Sequence, residues 1–164
     1  MFEKVLVANR GEIAIRVIRA CRDRGIATVA VYSDADREAR HVGLADAAYH
    51  IGPARAAESY LDIDRIVAVG QEAAVDAVHP GYGFLAENPR FAEAVIDAGM
   101  TWIGPPPAAM RQLGDKTAAR SIMAEAGVPV IPGSEEPITE PAEVHAFGET
   151  HGYPVAIKAA GGGG

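Results

Sequence analysis

Four stretches of this 164-residue sequence combine residue types that chemistry can use. Ile157-Lys158-Ala159-Ala160 runs from an apolar segment straight into Gly161, Gly162, Gly163 and Gly164. A glycine-rich loop exposes backbone N–H groups that can wrap phosphate oxygens, with no Cβ in the way. A lysine on the preceding strand adds a positive charge. The Gly-x-x-x-x-Gly-Lys-Ser/Thr order of a Walker loop is absent, and composition alone leaves a flexible linker as the competing reading. Lys116 stands at a helix start, where the dipole disfavours a cation unless an anion binds nearby. His79-Pro80-Gly81-Tyr82-Gly83-Phe84 follows a short apolar run, and open α/β sheets place ligands beyond strand C-terminal ends. Asn9-Arg10-Gly11-Glu12 lies between a strand and a helix, a place suited to anions. Only one glycine of the dinucleotide pattern is present there, and Glu12 would repel a phosphate. A nicotinamide or flavin cofactor is therefore rejected, and the stretch reads as a tight turn with a favourable acid at a helix start.

Other chemistries find little support. His41, His145 and His151 read as lying in polar surroundings without metal-ligand spacing, and no Cys/His cluster suggests zinc. No Gly-x-Ser-x-Gly elbow occurs. Cys21 is the single cysteine, which excludes an intramolecular disulfide and fits a reducing compartment. Its helical pattern makes it a core or near-core residue. A net charge of -7 and a pI near 5.2 argue against general nucleic-acid binding. Residues 1–25 are locally basic, six Lys or Arg against three acids, which reads as a solvated helix face. Neither a secretory signal nor a membrane span is recognisable, so the expected location is the cytoplasm.

The elements that must position these residues follow from periodicity. Val5–Ala8 is a continuous apolar run, expected as a buried parallel strand. Glu12–Arg24 carries Ile13, Val17 and Ala20 at helical spacing, with Ile18 and Cys21 beside them and Gly25 as the stop. Ile26–Tyr32 completes a β-α-β unit. Further strands are expected at Ala47–Ile51, Val75–Val78 and Thr101–Ile103, with helices at Asp62–Glu72 and Pro89–Ala98. Phe91 and Trp102 fit core positions. This alternation predicts a doubly wound α/β sheet. Gly104-Pro105-Pro106-Pro107 marks a boundary, since three prolines neither continue a strand nor sit within a helix. Helices at Ala108–Leu113 and Lys116–Ala126 follow, the second with Asp115 as N-cap. Residues 131–151 hold five acids and no Lys or Arg, the mark of a solvated segment. Pro154–Ala159 is expected as a strand.

Together these stretches resemble the biotin carboxylases. Lys4-Val5-Leu6-Val7-Ala8-Asn9-Arg10-Gly11-Glu12-Ile13-Ala14 is similar to the family's opening. Ser59-Tyr60-Leu61-Asp62-Ile63, His79 to Asn88, Gly114-Asp115-Lys116, and Tyr153 to Ala160 with the glycines after it resemble further blocks, in the family's order. The resemblance covers the whole chain and sets the linker reading of the glycines aside.

The resemblance implies a Rossmann-like domain of the pre-ATP-grasp type over residues 1–103, binding no dinucleotide. A helical linker over 104–130 and the beginning of an ATP-grasp lid over 131–164 follow. The implied activity is ATP-dependent carboxylation of biotin with bicarbonate through carboxyphosphate, assisted by Mg2+ or Mn2+. By position, Lys116 and Lys158 resemble ATP contacts, and Gly161, Gly162, Gly163 and Gly164 the start of the loop over the phosphates. Tyr82 and Gly83 resemble residues near biotin. Arg16, Arg19 and Asp23 share a helix face that matches one used for homodimerisation. The family's catalytic residues and metal ligands match no position here, so residues 1–164 alone are expected to be inactive. The implied partners are a biotin carboxyl carrier protein or domain and a carboxyltransferase, in a homodimer or larger complex. The Ser59–Ile63 block looks more like acyl-CoA carboxylases, such as acetyl-CoA or propionyl-CoA carboxylase of fatty acid metabolism, than pyruvate carboxylases. Two other readings stand beside this one. One is another ATP-grasp ligase, of the purine-pathway carboxylase or carbamoyl-phosphate synthetase type, which lacks the His79–Asn88 block. The other is a non-catalytic Rossmann-like assembly domain.

Overall fold

Val5, Leu6 and Val7 are each almost fully buried, which an apolar run achieves only in a strand covered on both faces. They form β1 (Lys4–Val7), the centre of a five-stranded parallel sheet in the computed structural model, which describes residues 2–114, 116–131, 133–134 and 137–158. The chain continues through α1 (Gly11–Arg22), β2 (Ala27–Ser33), α2 (Arg40–Leu44), β3 (Ala47–Gly52), α3 (Ile63–Glu72), β4 (Ala77–His79), α4 (Pro89–Asp97) and β5 (Thr101–Trp102). The strand order is β3-β2-β1-β4-β5. After β3 the chain therefore returns past β1, and the direction of winding reverses. Helices α1 and α2 pack together, as do α3 and α4, which makes the sheet doubly wound as expected.

One layer is sealed by Val7, Ala14, Val17 and Ile18, with Ile13, Cys21, Leu44 and Ala45 packed against them. Burial also pushes the Cys21 thiol pKa up. Ala20, expected on this face, is exposed, and Ala14 takes the inward position. On α3 and α4 the buried residues include Ile66, Val69, Phe91 and Val95, and Phe91 meets Trp102 edge to face at 5.4 Å. Each large buried side chain contributes roughly 1.5–3 kcal/mol by leaving water.

Helix ends are set by backbone bonds. After α1, the Ile26 amide donates to the Cys21 carbonyl and the Gly25 amide to Arg22, with Gly25 at φ +69°. These are the bonds of a Schellman motif, which needs a left-handed residue and so favours glycine. After α3 the same bonds run from Val75 to Gly70 and from Ala74 to Gln71, but the left-handed residue is Ala74, at φ +48°. A Cβ in that region costs roughly 1–2 kcal/mol.

The chain divides into two compact units, Met1–Pro107 and Ala108–Gly164. Helix α5 (Pro107–Gly114) starts at the boundary, so the third proline opens a helix, where its missing N–H is harmless. In the second unit α6 (Lys116–Glu125) matches its expected start, while Asp115 lies outside the described residues. The acidic stretch holds an unexpected helix, α7 (Pro141–His151), in which Glu143 Oε1 accepts from the Glu140 amide at 2.9 Å. Residues 154–158 form no strand, and no neighbouring strand pairs with them among the described residues. His41 corrects another expectation. It is fully buried in α2, a helix that periodicity did not reveal, and its Nε2–H donates to the Val31 carbonyl at 3.2 Å.

Candidate functional site

The reversal of winding brings the C-terminal ends of β1 and β4 side by side, and the loops leaving them face each other. The Ala8 amide donates to the His79 carbonyl at 2.9 Å, which extends the ladder to the mouth of both loops. Asn9 comes next and is buried. Its Nδ2 donates to the carbonyls of Pro80 at 2.7 Å and Tyr82 at 2.8 Å, and its Oδ1 accepts from the Arg10 amide at 2.9 Å. A side-chain amide offers two donors and a carbonyl oxygen, and each is engaged. Gly81 lies against it at φ +68°, where a Cβ would stand 2.8 Å from Asn9 Nδ2. Both conformation and space thus require glycine.

His79 Nδ1 accepts from the Gly81 amide at 2.9 Å, and burial lowers its pKa, so its uncharged form serves the turn. That makes His79 a structural histidine. Gly83 follows at φ +67°, and Phe84 holds φ +40°, an uncommon setting for a bulky residue.

A second network supports this loop from behind. Phe84 stacks on Tyr60 at 5.1 Å with 6° between the ring planes. The Arg10 guanidinium lies 5.6 Å from the Tyr60 centroid and 5.7 Å from that of Phe84. Asp36 Oδ2 accepts from Ser33 Oγ and Tyr60 Oη, both at 2.9 Å, and from Arg10 at 3.2 Å. Burial pushes the Asp36 carboxyl up, but the bonds from Tyr60 and Ser33 and the Arg10 charge outweigh it and hold it below its ordinary value. The Tyr60 phenol is pushed up to about 12 by burial, with the bond from the Ser33 amide opposing the rise and the Asp36 carboxylate adding to it. Sequence spacing did not single out this network. Arg10 lay in the first turn singled out between strand and helix, and Tyr60 only in a block of the family resemblance.

The two loops border an open cleft of about 350 Å³, lined by Asn9 to Ile13 on one side and Tyr82 to Phe84 on the other. Tyr82 is 61% exposed, and its Oη donates to the Glu12 carboxylate, which raises the phenol's pKa. The structure thus brings Tyr82 and Gly83 together with the first turn. The cleft lining carries both the Glu12 carboxylate and the Arg10 guanidinium.

The other expected site residues fall in the second unit or on or just after α1. Lys116 opens α6, and its side chain lies outside the described residues, as do Gly161, Gly162, Gly163 and Gly164. Lys158 is exposed in an irregular segment. The described residues therefore assemble no phosphate site. Among them, no group of three or more His, Cys, Asp or Glu is placed to hold a metal ion. Arg16, Arg19 and Asp23 are exposed, the first two on α1 and the third just after it. No helix among the described residues is long and apolar enough to cross a membrane.

Comparison with known proteins matches residues 1–110 to the family described as "Biotin carboxylase, N-terminal domain". Residues 115–164 match the family described as "Carbamoyl-phosphate synthase L chain, ATP binding domain". The chain is 57% identical, over 98% of its length, to the biotin-dependent acyl-coenzyme A carboxylase alpha3 subunit of Mycobacterium leprae, of which it covers 27%. It is 54% identical over its full length to the biotin carboxylase of Pseudomonas aeruginosa, of which it covers 37%. Among solved structures it matches the biotin carboxylase domain dimer of Hydrogenobacter thermophilus 2-oxoglutarate carboxylase, in complex with MgADP, ADP and bicarbonate. That match has a TM-score of 0.90 at 49% identity, and covers 100% of this chain and 36% of the other. The chain thus spans well under two thirds of each of these relatives.

Proposed function

This chain belongs to the biotin carboxylase family, through its N-terminal domain, and from that membership we propose that the whole protein carboxylates biotin with bicarbonate at the expense of ATP. The observation that carries the reading is the cleft at the reversal of winding. There the first turn lacks a dinucleotide pattern, carries a carboxylate, and faces a tyrosine on a glycine-hinged loop. Tyr82 and Gly83 sit beside the biotin ring in this reading. ATP supplies the activation of bicarbonate. Lys116 and Lys158 neutralise its phosphates, and Gly161 to Gly164 begin the backbone loop over them. Residues 1–103 form the pre-ATP-grasp domain, 104–130 the linker and 131–164 the start of the lid. The metal ions, Mg2+ or Mn2+, are held by groups outside the described residues.

The partners in this reading are a biotin carboxyl carrier protein or domain and a carboxyltransferase, with Arg16, Arg19 and Asp23 on a homodimer face. The final acceptor is proposed to be an acyl-CoA, on the Ser59–Ile63 block. Purified whole protein should carboxylate free biotin only when ATP, Mg2+ and bicarbonate are all present, while residues 1–164 alone should not. A second reading draws on the match of residues 115–164 to a carbamoyl-phosphate synthase domain. Under it, the same assay with an amine donor yields carbamoyl phosphate and leaves biotin untouched.

A further inference from the structure

We infer that the first turn is a positioning device for Tyr82, with Asn9 holding the tyrosine's backbone and Glu12 aiming its ring; the inference rests on the biotin reading above. Tyr82 sits between two residues of positive φ, Gly81 and Gly83, and its side chain is mostly exposed. A ring so placed has little packing to choose its rotamer, and its orientation must come from specific bonds.

Two such bonds exist, and both come from one short stretch. Asn9 Nδ2 fixes the Tyr82 carbonyl at 2.8 Å, and the Glu12 carboxylate accepts from the phenol. The support is rigid. Asn9 is 2% exposed and shares its amide with Pro80, and Glu12 lies in the first turn of the 12-residue helix α1. A carboxylate at that helix end is itself favoured by the dipole, so the acceptor is anchored where the ring needs it. The strand-to-helix turn that other doubly wound folds give to a cofactor phosphate here holds a substrate-facing aromatic instead. Glu12 touches no reacting atom in this scheme and acts through Tyr82.

The test compares Glu12→Ala, Glu12→Gln, Tyr82→Phe and the Glu12→Ala/Tyr82→Phe double variant in the whole protein. Glu12→Ala should raise the KM for free biotin about five-fold and leave the KM for ATP unchanged, as loss of one solvent-exposed hydrogen bond implies. Glu12→Gln keeps an acceptor oxygen and should stay within about two-fold of the parent. Tyr82→Phe should match Glu12→Ala, and the double variant should be no worse than either, because both remove one interaction. An unchanged biotin KM in Glu12→Ala, an equal rise in the ATP KM, or multiplying single effects would each overturn the inference. Titration of 3-fluorotyrosine at position 82 by 19F NMR reads the contact without any activity. The phenol should titrate lower in Glu12→Ala than in the parent, and no difference would sink the contact. A parent protein that carboxylates no biotin removes the proposed activity and the link to biotin, while the titration still decides whether Glu12 holds Tyr82.

Discussion

The cleft between the first turn and the Tyr82 loop differs sharply from the segment around Lys158. In the cleft, buried Asn9 engages every polar atom of its side chain, and Asp36 gathers three donors on one oxygen. Around Lys158, Tyr153 is 63% and Ile157 74% exposed, and no strand forms over 154–158. The contrast separates two kinds of site residue. Those of the cleft are fixed by the same contacts that hold the sheet together, so altering them costs stability. Lys158 contributes nothing to the described packing, so altering it should cost activity alone.

The sharpest break of that contrast would come from Lys158→Met. In the whole protein, ATP cleavage should fall about a hundred-fold, as expected for loss of a charge that neutralises the transferred phosphoryl group. The melting temperature should not move. A large fall in melting temperature would show that Lys158 is structural after all.

On the cleft side, Gly81→Ala should destabilise by about 3 kcal/mol, since it adds a left-handed alanine and a collision with Asn9. Gly83→Ala shares the positive φ but meets nothing within 4 Å, and should cost only about 1 kcal/mol. Urea unfolding would read both, and equal costs would mean that Asn9 gives way.

A smaller effect concerns pH. Burial lowers the pKa of His41, whose Nδ1 has no partner among the described residues, and of His79, whose Nδ1 accepts from Gly81. Unfolding lets both bind protons at the ordinary value of 6.5, so their contribution is complete above that pH and declines as pH falls below it. The slope should be at most about 1.4 kcal/mol per pH unit for each histidine. Asp36 acts in a separate window, because its depressed pKa withdraws stability only as pH falls below 3.8. His41→Gln should flatten the upper slope, and an unchanged slope would assign it to other groups.

The smallest expected effect lies away from the cleft. Ala74→Gly relieves the left-handed alanine after α3 and should stabilise by roughly 0.5 kcal/mol once the extra freedom of the unfolded chain is counted. A loss of stability would show that the Cβ packs usefully.

What the sequence made legible follows from the range of the forces involved. β1, α1 and β2 were readable because continuous apolar runs and a 3.6-residue repeat are local signals. Helix α7 was not, because it presents no apolar stripe, and a proline start with acids along its length resembles a loop. His41 read as polar because its neighbour is Arg40, although a five-residue helix turns it inward. In the cleft, the HPGYGF loop announced itself through its glycines. Asn9 and Glu12 stood out only as a tight turn at a helix start, and Asp36 and Tyr60 gave no comparable signal, since only the sheet order brings these residues to that loop.

That order has a temporal side. The bonds that make the cleft join residues 70 to 73 positions apart, from Tyr82 to Glu12 and from Asn9 to the carbonyls of Pro80 and Tyr82. Contacts of such separation form late, because a long loop must close before they stabilise anything. On the ribosome, β1, α1 and β2 can pair as soon as they emerge, while the open edge of β1 waits for β4 to be synthesised. Until then Asn9 has no carbonyls to bind and Glu12 no phenol. A nascent chain of this protein therefore carries a folded half-sheet with an uncovered central strand, and that interval is when a chaperone would find most to hold.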